Sequence, residues 1–293
     1  MKALQIDKVG VQAIVVDLGR RGYARYGVSR SGPFDLASWQ AANIGAGNQN
    51  ANLAAVEIVL GPFRATALGA VTVCVAGAPA VITVGESGDT VEYSAGQPIA
   101  LSAGQRISIG RANTGLRIYL AIHGGFEVAR TLGSASYDTV STLGPAPLRA
   151  GDELAVFVSG IDDQLLSVTA SLNRSIWRQM SELTGKGHFD QHLPAGFGRR
   201  IDQHQWVVQP DSNRAGVRLH SPDSGPVEGV GQRPSAPTMT GSIQLLPSGD
   251  LVVFGPDCPT TGGYPVIGVL NRSSIDQVGQ ARPGAKFMIK LDD

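Results

Sequence analysis

Cysteine is nearly absent. The 293 residues hold two, Cys74 and Cys258. Two thiols make neither a disulfide framework nor a four-thiolate zinc site, so a reducing, cytoplasmic setting is the expectation. Charge is sparse and balanced: 16% of residues are charged, with Lys plus Arg and Asp plus Glu at 24 each. No net field draws nucleic acid or an anionic membrane, and small molecules or protein partners fit better. Long apolar runs are missing, which argues against a helical membrane span. The opening residues MKALQIDKVGVQAIVVDLG alternate apolar and charged side chains, without the unbroken apolar stretch of a secretory signal. Lysine is rare, and none of the five belongs to a G-x-x-x-x-G-K-[ST] phosphate loop or a Met-Lys-Met-like biotin-attachment segment. G-x-S-x-G and H-E-x-x-H are missing too.

Glycine and proline, by contrast, are plentiful at 38 and 17. They punctuate short runs rich in Val, Ile and Leu, the pattern of many strands joined by tight turns. Strands are expected at 11–18, 55–60, 71–77, 81–84, 106–110, 116–124 and 153–158, then at 204–210, 216–220, 242–246, 251–255, 265–270 and 286–291. A Gly-containing corner recurs before strands at 95–101, 103–109, 150–156 and 283–289, as in a barrel or sandwich that closes its edges. Helices are few. Residues 33–47 fit one, with Asp35 as N-cap; 171–183 fit a second through Leu172, Ile176, Met180 and Leu183; 273–280 fit a short third. The chain thus reads as mostly β, with β units over 1–160 and 204–293 and a helical and loop connection over 161–203 that shows no clear strand near its end.

Several stretches carry polar groups suited to chemistry. In DCPTTGGYPVIGVL, Thr260, Thr261, Gly262 and Gly263 can present hydroxyls and backbone N–H groups to a carbonyl or carboxylate, with Asp257 as a base or cation ligand. A hairpin turn with capping threonines has the same composition, and Tyr264-Pro265 is a candidate cis bond. In GRRGYARYGVSRSGPFD, Arg20, Arg21, Arg25, Arg30, Ser29 and Ser31 lead to a helix start, where an anion would be welcome; Asp35 either joins that site or only caps the helix. Arg214 and Arg218, four residues apart in DSNRAGVRL, would share one face of a strand and could fork onto a carboxylate. His123 in IHGGFE sits at a strand mouth, as an acid–base group or as hydrogen-bonded structure. His188, Asp190 and His192 raise a metal site, but Pro194 and nearby glycines argue against a helix holding both rings, and no metal is expected.

Taken in order, GRRGYARYGVSRSGPFD, AANIGAGN, AVEIVLGP, YLAIHGGFEVARTLGSASYDTVSTLG, DSNRAGVRL, GSIQLLPSG and TTGGYPVIGVL resemble a carboxyltransferase-domain family, known as the C subunit of 5-oxoprolinase or as allophanate hydrolase subunit 2. The resemblance spans nearly the whole chain. It implies two cyclophilin-like β-barrel units and, for a partner, a homologous sibling subunit, with a further one of A type. It also implies an ATP-dependent reaction of the complex that opens the lactam of 5-oxo-L-proline to give L-glutamate. On that basis Asp35, Asp257, Thr261, Gly262 and Gly263 are expected at the reacting carbonyl, and Arg25, Ser31, His123, Arg214, Arg218, Gln244 and Tyr264 around the substrate. Ala236 stands where the family often has glutamate. The same family includes the biotin-dependent carboxyltransferase part of urea carboxylase, and some relatives are antagonists of a kinase-inhibitory protein, so carboxyl transfer and non-catalytic binding stay open.

Overall fold

The computed structural model describes residues 1–48, 52–86, 88–157, 181–187, 201–228 and 230–292. They form two compact units. The first gathers Met1–Arg20, Asp35–Tyr137 and the described residues from Thr142 to 157; the second gathers Arg21–Phe34, Asp138–Ser141 and the described residues from 181 onward.

The strands of the first unit are β1 (Lys2–Lys8), β2 (Gln12–Val16), β3 (Ala55–Val59), β4 (Phe63–Ala67), β5 (Val71–Gly77), β6 (Ile82–Glu86), β7 (Asp89–Tyr93), β8 (Pro98–Leu101), β9 (Arg106–Ile109), β10 (Arg117–Ile122), β11 (Phe126–Glu127) and β12 (Glu153–Val156). They make a seven-stranded sheet, β11-β12-β1-β4-β9-β6-β7, and a five-stranded sheet, β2-β3-β10-β5-β8. Alternate residues of the two sheets, among them Leu4, Ile6, Ile58, Ile107, Ile118 and Leu120, meet in one core. The opposite face of the smaller sheet is covered by helix α1 (Leu36–Gly45), so β10 is buried on both sides and, after Arg117, reads as a nearly continuous apolar run. Small residues let the helix approach. A Cβ on Gly45 would stand 2.4 Å from Cys74 Sγ.

In the second unit β13 (Glu182–Gly187), β14 (Trp206–Val208), β15 (Gly216–His220), β17 (Ser242–Leu245), β18 (Leu251–Phe254), β20 (Val266–Leu270) and β21 (Lys286–Asp292) close into a barrel. Closure leaves no sheet edge. Leu219, Ile243, Leu245, Leu251, Val253, Ile267 and Ile289 fill it, and burying each such side chain contributes about 1.5–3 kcal/mol. Helix α2 (Arg272–Gln280), capped by Asn271, carries Ile275 and Val278 into the same core. A two-stranded ladder of β16 (Ala236–Pro237) and β19 (Thr261–Gly262) stands apart from the barrel.

The protein is thus mostly β, built of β-barrel-type units with the helices α1 and α2 and a short 3-10 turn at Ala24–Tyr26, as expected. Local details differ. Leu183, expected to end a helix over 171–183, lies in β13, which pairs with β20 and β21; residues 171–180 lie outside the described ones. The spacing misled because Leu183 also satisfies an inward strand position. Strands β4 and β7 carry no strong apolar signal, since β4 packs through alanines and β7 is exposed. The cis peptide bond among the described residues is Gly61–Pro62, not Tyr264–Pro265. No helix among them is long and apolar enough to cross a membrane.

Candidate active site

Polar side chains of the second unit converge on Asp257. Its carboxylate is fully buried. Oδ2 accepts from Arg214 Nε at 2.8 Å, from the Thr139 hydroxyl at 2.8 Å and from the Thr139 N–H at 3.1 Å, while Oδ1 accepts from Arg214 Nη2 at 3.1 Å. This is a forked, charge-assisted pair whose remaining acceptor capacity is used by one threonine. Arg214 also donates to the Gly32 carbonyl at 2.7 Å. Next along the same segment, Ser31 is buried in the left-handed region, φ 57°, and its N–H donates to the Pro256 carbonyl at 2.9 Å. A non-glycine residue there costs about 1–3 kcal/mol and persists only where its surroundings hold it. Arg272 Nη2 donates to the Phe34 carbonyl at 2.6 Å. Gly255 has no room for a side chain: a Cβ would lie 2.1 Å from the Arg214 carbonyl oxygen and 2.9 Å from the Phe34 ring.

Beside Thr139, Asp138 accepts from the Ser29 hydroxyl and from the N–H groups of Val140 and Ser141. Burial pushes its pKa up, and these hydrogen bonds outweigh it, so the carboxyl sits below its ordinary 3.8. A group depressed in the folded state stabilises above its unfolded pKa and loses that contribution as pH falls through the folded value. Asp138→Asn is therefore expected to flatten the acid limb of a stability–pH curve below about pH 4, measured by urea unfolding, with no change in slope between pH 6 and 8. Cys258, following Asp257, is buried and its thiol is pushed up to about 11, chiefly by burial, which keeps it protonated.

The Thr-Thr-Gly-Gly segment is not a free turn. Gly262 stands opposite Ala236 and Thr261 opposite Pro237, while Thr238 N–H donates to the Thr260 carbonyl and Arg233 N–H to the Gly263 carbonyl. Neither Gly262 nor Gly263 has a positive φ. Glycine serves close approach here, because a Cβ on Gly262 would lie 2.3 Å from Gln244 Nε2, which donates to the Tyr264 carbonyl at 3.2 Å. Gln244 is buried, Gly262, Gly263 and Tyr264 are half-buried, and the Thr261 side chain is exposed.

In the first unit Asp35 caps α1, accepting from the Ser38 N–H at 2.9 Å and from its hydroxyl. Its own N–H donates to the Tyr119 hydroxyl at 2.9 Å, which donates to Glu57 Oε2 at 2.8 Å; Arg117 Nε meets Glu57 Oε1 at 3.1 Å. Burial first, then the charges of Glu57 and Asp35, hold the Tyr119 pKa well above its ordinary value, so it remains a donor. Tyr119→Phe is expected to cost about 1–3 kcal/mol by leaving the Asp35 N–H and Glu57 short of a partner; chemical denaturation checks it. A second buried carboxylate, Asp17, accepts from Ser134, Ser136, the N–H groups of Ala135 and Gly19, and Arg130. Sequence reading passed over both clusters. The signal was a charged residue inside an apolar run, Glu57 in AVEIVL and Asp17 in AIVVDL.

Other candidates fall elsewhere. Arg214 and Arg218 do not share a face: β15 begins at Gly216, so strand parity fails across the preceding turn, and Arg218 is exposed, paired with Asp211 at 2.8 Å. Arg25 is exposed and lies 4.7 Å over the Tyr26 ring. His123 Nδ1 is 3.1 Å from the Ala46 carbonyl oxygen. His188, Asp190 and His192 lie outside the described residues.

Two β units, the second a closed barrel with a separate two-stranded ladder and a buried Arg–Asp pair, define a two-subdomain β protein. The chain belongs to the carboxyltransferase domain, subdomain A and B family, whose profile matches residues 26–291. It is 28% identical to the C subunit of 5-oxoprolinase from Haemophilus influenzae over 96% of this chain and 89% of that protein. It is 30% identical to urea amidolyase of Saccharomyces cerevisiae over 96% of this chain but 16% of that protein. Among solved structures, TTHA0988 superposes with a TM-score of 0.83 at 28% identity, covering all of this chain and 56% of the other. The chain therefore spans about half of that solved chain.

Proposed function

We propose that this chain is one subunit of a cytoplasmic, ATP-dependent hydrolase that opens a lactam or amide C–N bond, converting 5-oxo-L-proline into L-glutamate. The observation that carries this reading is the match to the C subunit of 5-oxoprolinase, which extends over most of both proteins. The partners are a homologous sibling and an A-type member of the complex. ATP is assigned to the complex rather than to this chain, in keeping with a sequence that lacks a Gly-Lys-Ser/Thr phosphate loop.

In this reading the Thr261 hydroxyl and the Gly263 N–H polarise the reacting carbonyl, while the pairing of Gly262 with Ala236 and the Gln244 amide beneath it hold that backbone in place. Asp257 works as a positioning residue: both oxygens are engaged by Arg214 and Thr139, so it orders the 29–34 and 138–141 segments instead of taking a proton. Asp35 positions α1. The complex reconstituted with its siblings, ATP and 5-oxoproline should release glutamate; an intact complex that releases none removes this substrate. Gly262→Ala should lower turnover at least tenfold. It should cost no more than about 1.5 kcal/mol of stability, because the clash is with the movable end of Gln244.

The similarity to urea amidolyase favours a second reading, transfer of a carboxyl group from biotin to urea or a related amide. Carboxyl transfer that requires a biotin carrier, with no ATP-dependent glutamate release, would select it.

A further inference from the structure

The outer face of the seven-stranded sheet in the first unit carries a hollow. Side chains alternate along β4, β9 and β6: Phe63, Ala65, Ile107, Ile109, Ile82 and Val84 belong to the core, so Arg64, Ser108 and Thr83 between them face outward. The strand register sets these residues in one row. Lys8 stands opposite Arg64, Arg64 opposite Ser108 and Ser108 opposite Thr83, so neighbours in the row are about 4.5–5.5 Å apart at Cα. The row lines a cavity of about 150 Å³, which Pro62 and Val81 also wall. Space of that order holds a body about the size of benzene.

The charges in the row are not balanced. Lys8 and Arg64 are both exposed, and like charges set directly opposite one another on paired strands repel. Among the described residues neither side chain has a hydrogen-bond or ionic partner, whereas Arg106 on β9 is held by Asp7 at 3.3 Å. Glu92 on β7 stands opposite Thr83 at the far end of the row, so an anion is drawn to the Lys8–Arg64 end. A mostly apolar cavity with a few polar groups at one end is the usual form of a small-molecule site.

We propose that this hollow binds a small organic carboxylate with an apolar body, the carboxylate forked by Arg64 with Lys8 beside it and the body lying against Pro62 and Val81. The site uses no residue assigned to the lactam-hydrolase reaction and stands or falls without that reading.

The test is a heteronuclear NMR titration of the full chain at low salt with benzoate, benzyl alcohol and acetate. Benzoate should shift the amides of residues 63–64, 81–83 and 108–110 and saturate. Benzyl alcohol keeps the ring without the charge and acetate keeps the charge without the ring, so each should bind at least tenfold more weakly. Arg64→Gln and, independently, Lys8→Gln should weaken benzoate at least fivefold with an unchanged melting temperature, because both side chains are exposed and unpartnered. Ser108→Leu, which fills the hollow and keeps both cations, should weaken it at least tenfold. Absence of saturable shifts at these positions, or a benzoate affinity unchanged by Arg64→Gln or by Ser108→Leu, overturns the proposal. Acetate binding as tightly as benzoate overturns it too, since the feature is then only a patch of surface charge.

Discussion

Arg214→Ala is expected to lower the stability of the second unit by about 3–5 kcal/mol. The substitution strips the cation from a carboxylate that is fully buried, leaving Thr139 to satisfy what two guanidinium N–H groups satisfied before. It also withdraws the donor from the Gly32 carbonyl, next to the left-handed Ser31. Since whole domains are stable by only about 5–15 kcal/mol, a loss of this size shows as a large drop in urea midpoint. The companion experiment separates charge from geometry. Arg214→Met with Asp257→Asn removes both charges, keeps an acceptor for Thr139, and should recover at least half of the lost stability. Turnover of the complex should stay low in the double variant, because the Gly32 carbonyl then lacks its Arg214 donor. A melting profile for Arg214→Ala like that of the unsubstituted chain would show that the pair is not what holds these loops.

The second large effect is expected from Glu57→Ala in the first unit, again about 3–5 kcal/mol. Glu57 is completely buried and takes the charge of Arg117, itself 5% exposed. Its loss leaves a guanidinium and a phenol in the interior without their carboxylate. Glu57→Gln, which preserves an acceptor for Tyr119, should cost less, about 1–3 kcal/mol. Equal losses for the two substitutions would mean that packing, not charge, dominates at this position. Hydrogen exchange at the start of α1 reads the link to Asp35: protection there should fall in Glu57→Ala, since Tyr119 connects Glu57 to the Asp35 N–H.

Both predictions concern contacts that adjacent residues do not reveal. The Asp257–Thr139 bond spans 118 residues and the Arg214–Asp257 pair spans 43. By contrast, the cap of α1 was readable because Asp35 and Ser38 lie within one turn, and that of α2 was not singled out although Asn271 precedes it in the same way. The apolar strands of both units were readable because a period of two between turn glycines is a local property. Arg214 and Arg218 show the limit of that rule: parity counting works only inside a strand, and β15 starts between them. At the Thr-Thr-Gly-Gly segment, composition pointed to a turn presenting its amides; the structure has it paired with residues 236–238, and the reason for glycine at 262, the Gln244 amide beneath it, lies in another strand.

Sequence alone therefore determined the β character, the helix at 36–45, the absence of a large net charge and the family resemblance, all of which follow from local pattern or from ordered motifs. Only tertiary structure decided that residues 21–34 and 138–141 group with the second unit and that Asp257 is sealed by Arg214 and Thr139. It alone decided, too, that Glu57 and Asp17 are satisfied inside the first unit. The physical reason is common to all of these: a buried charge must find its partner in space, and closing a chain onto itself brings that partner from any distance along it.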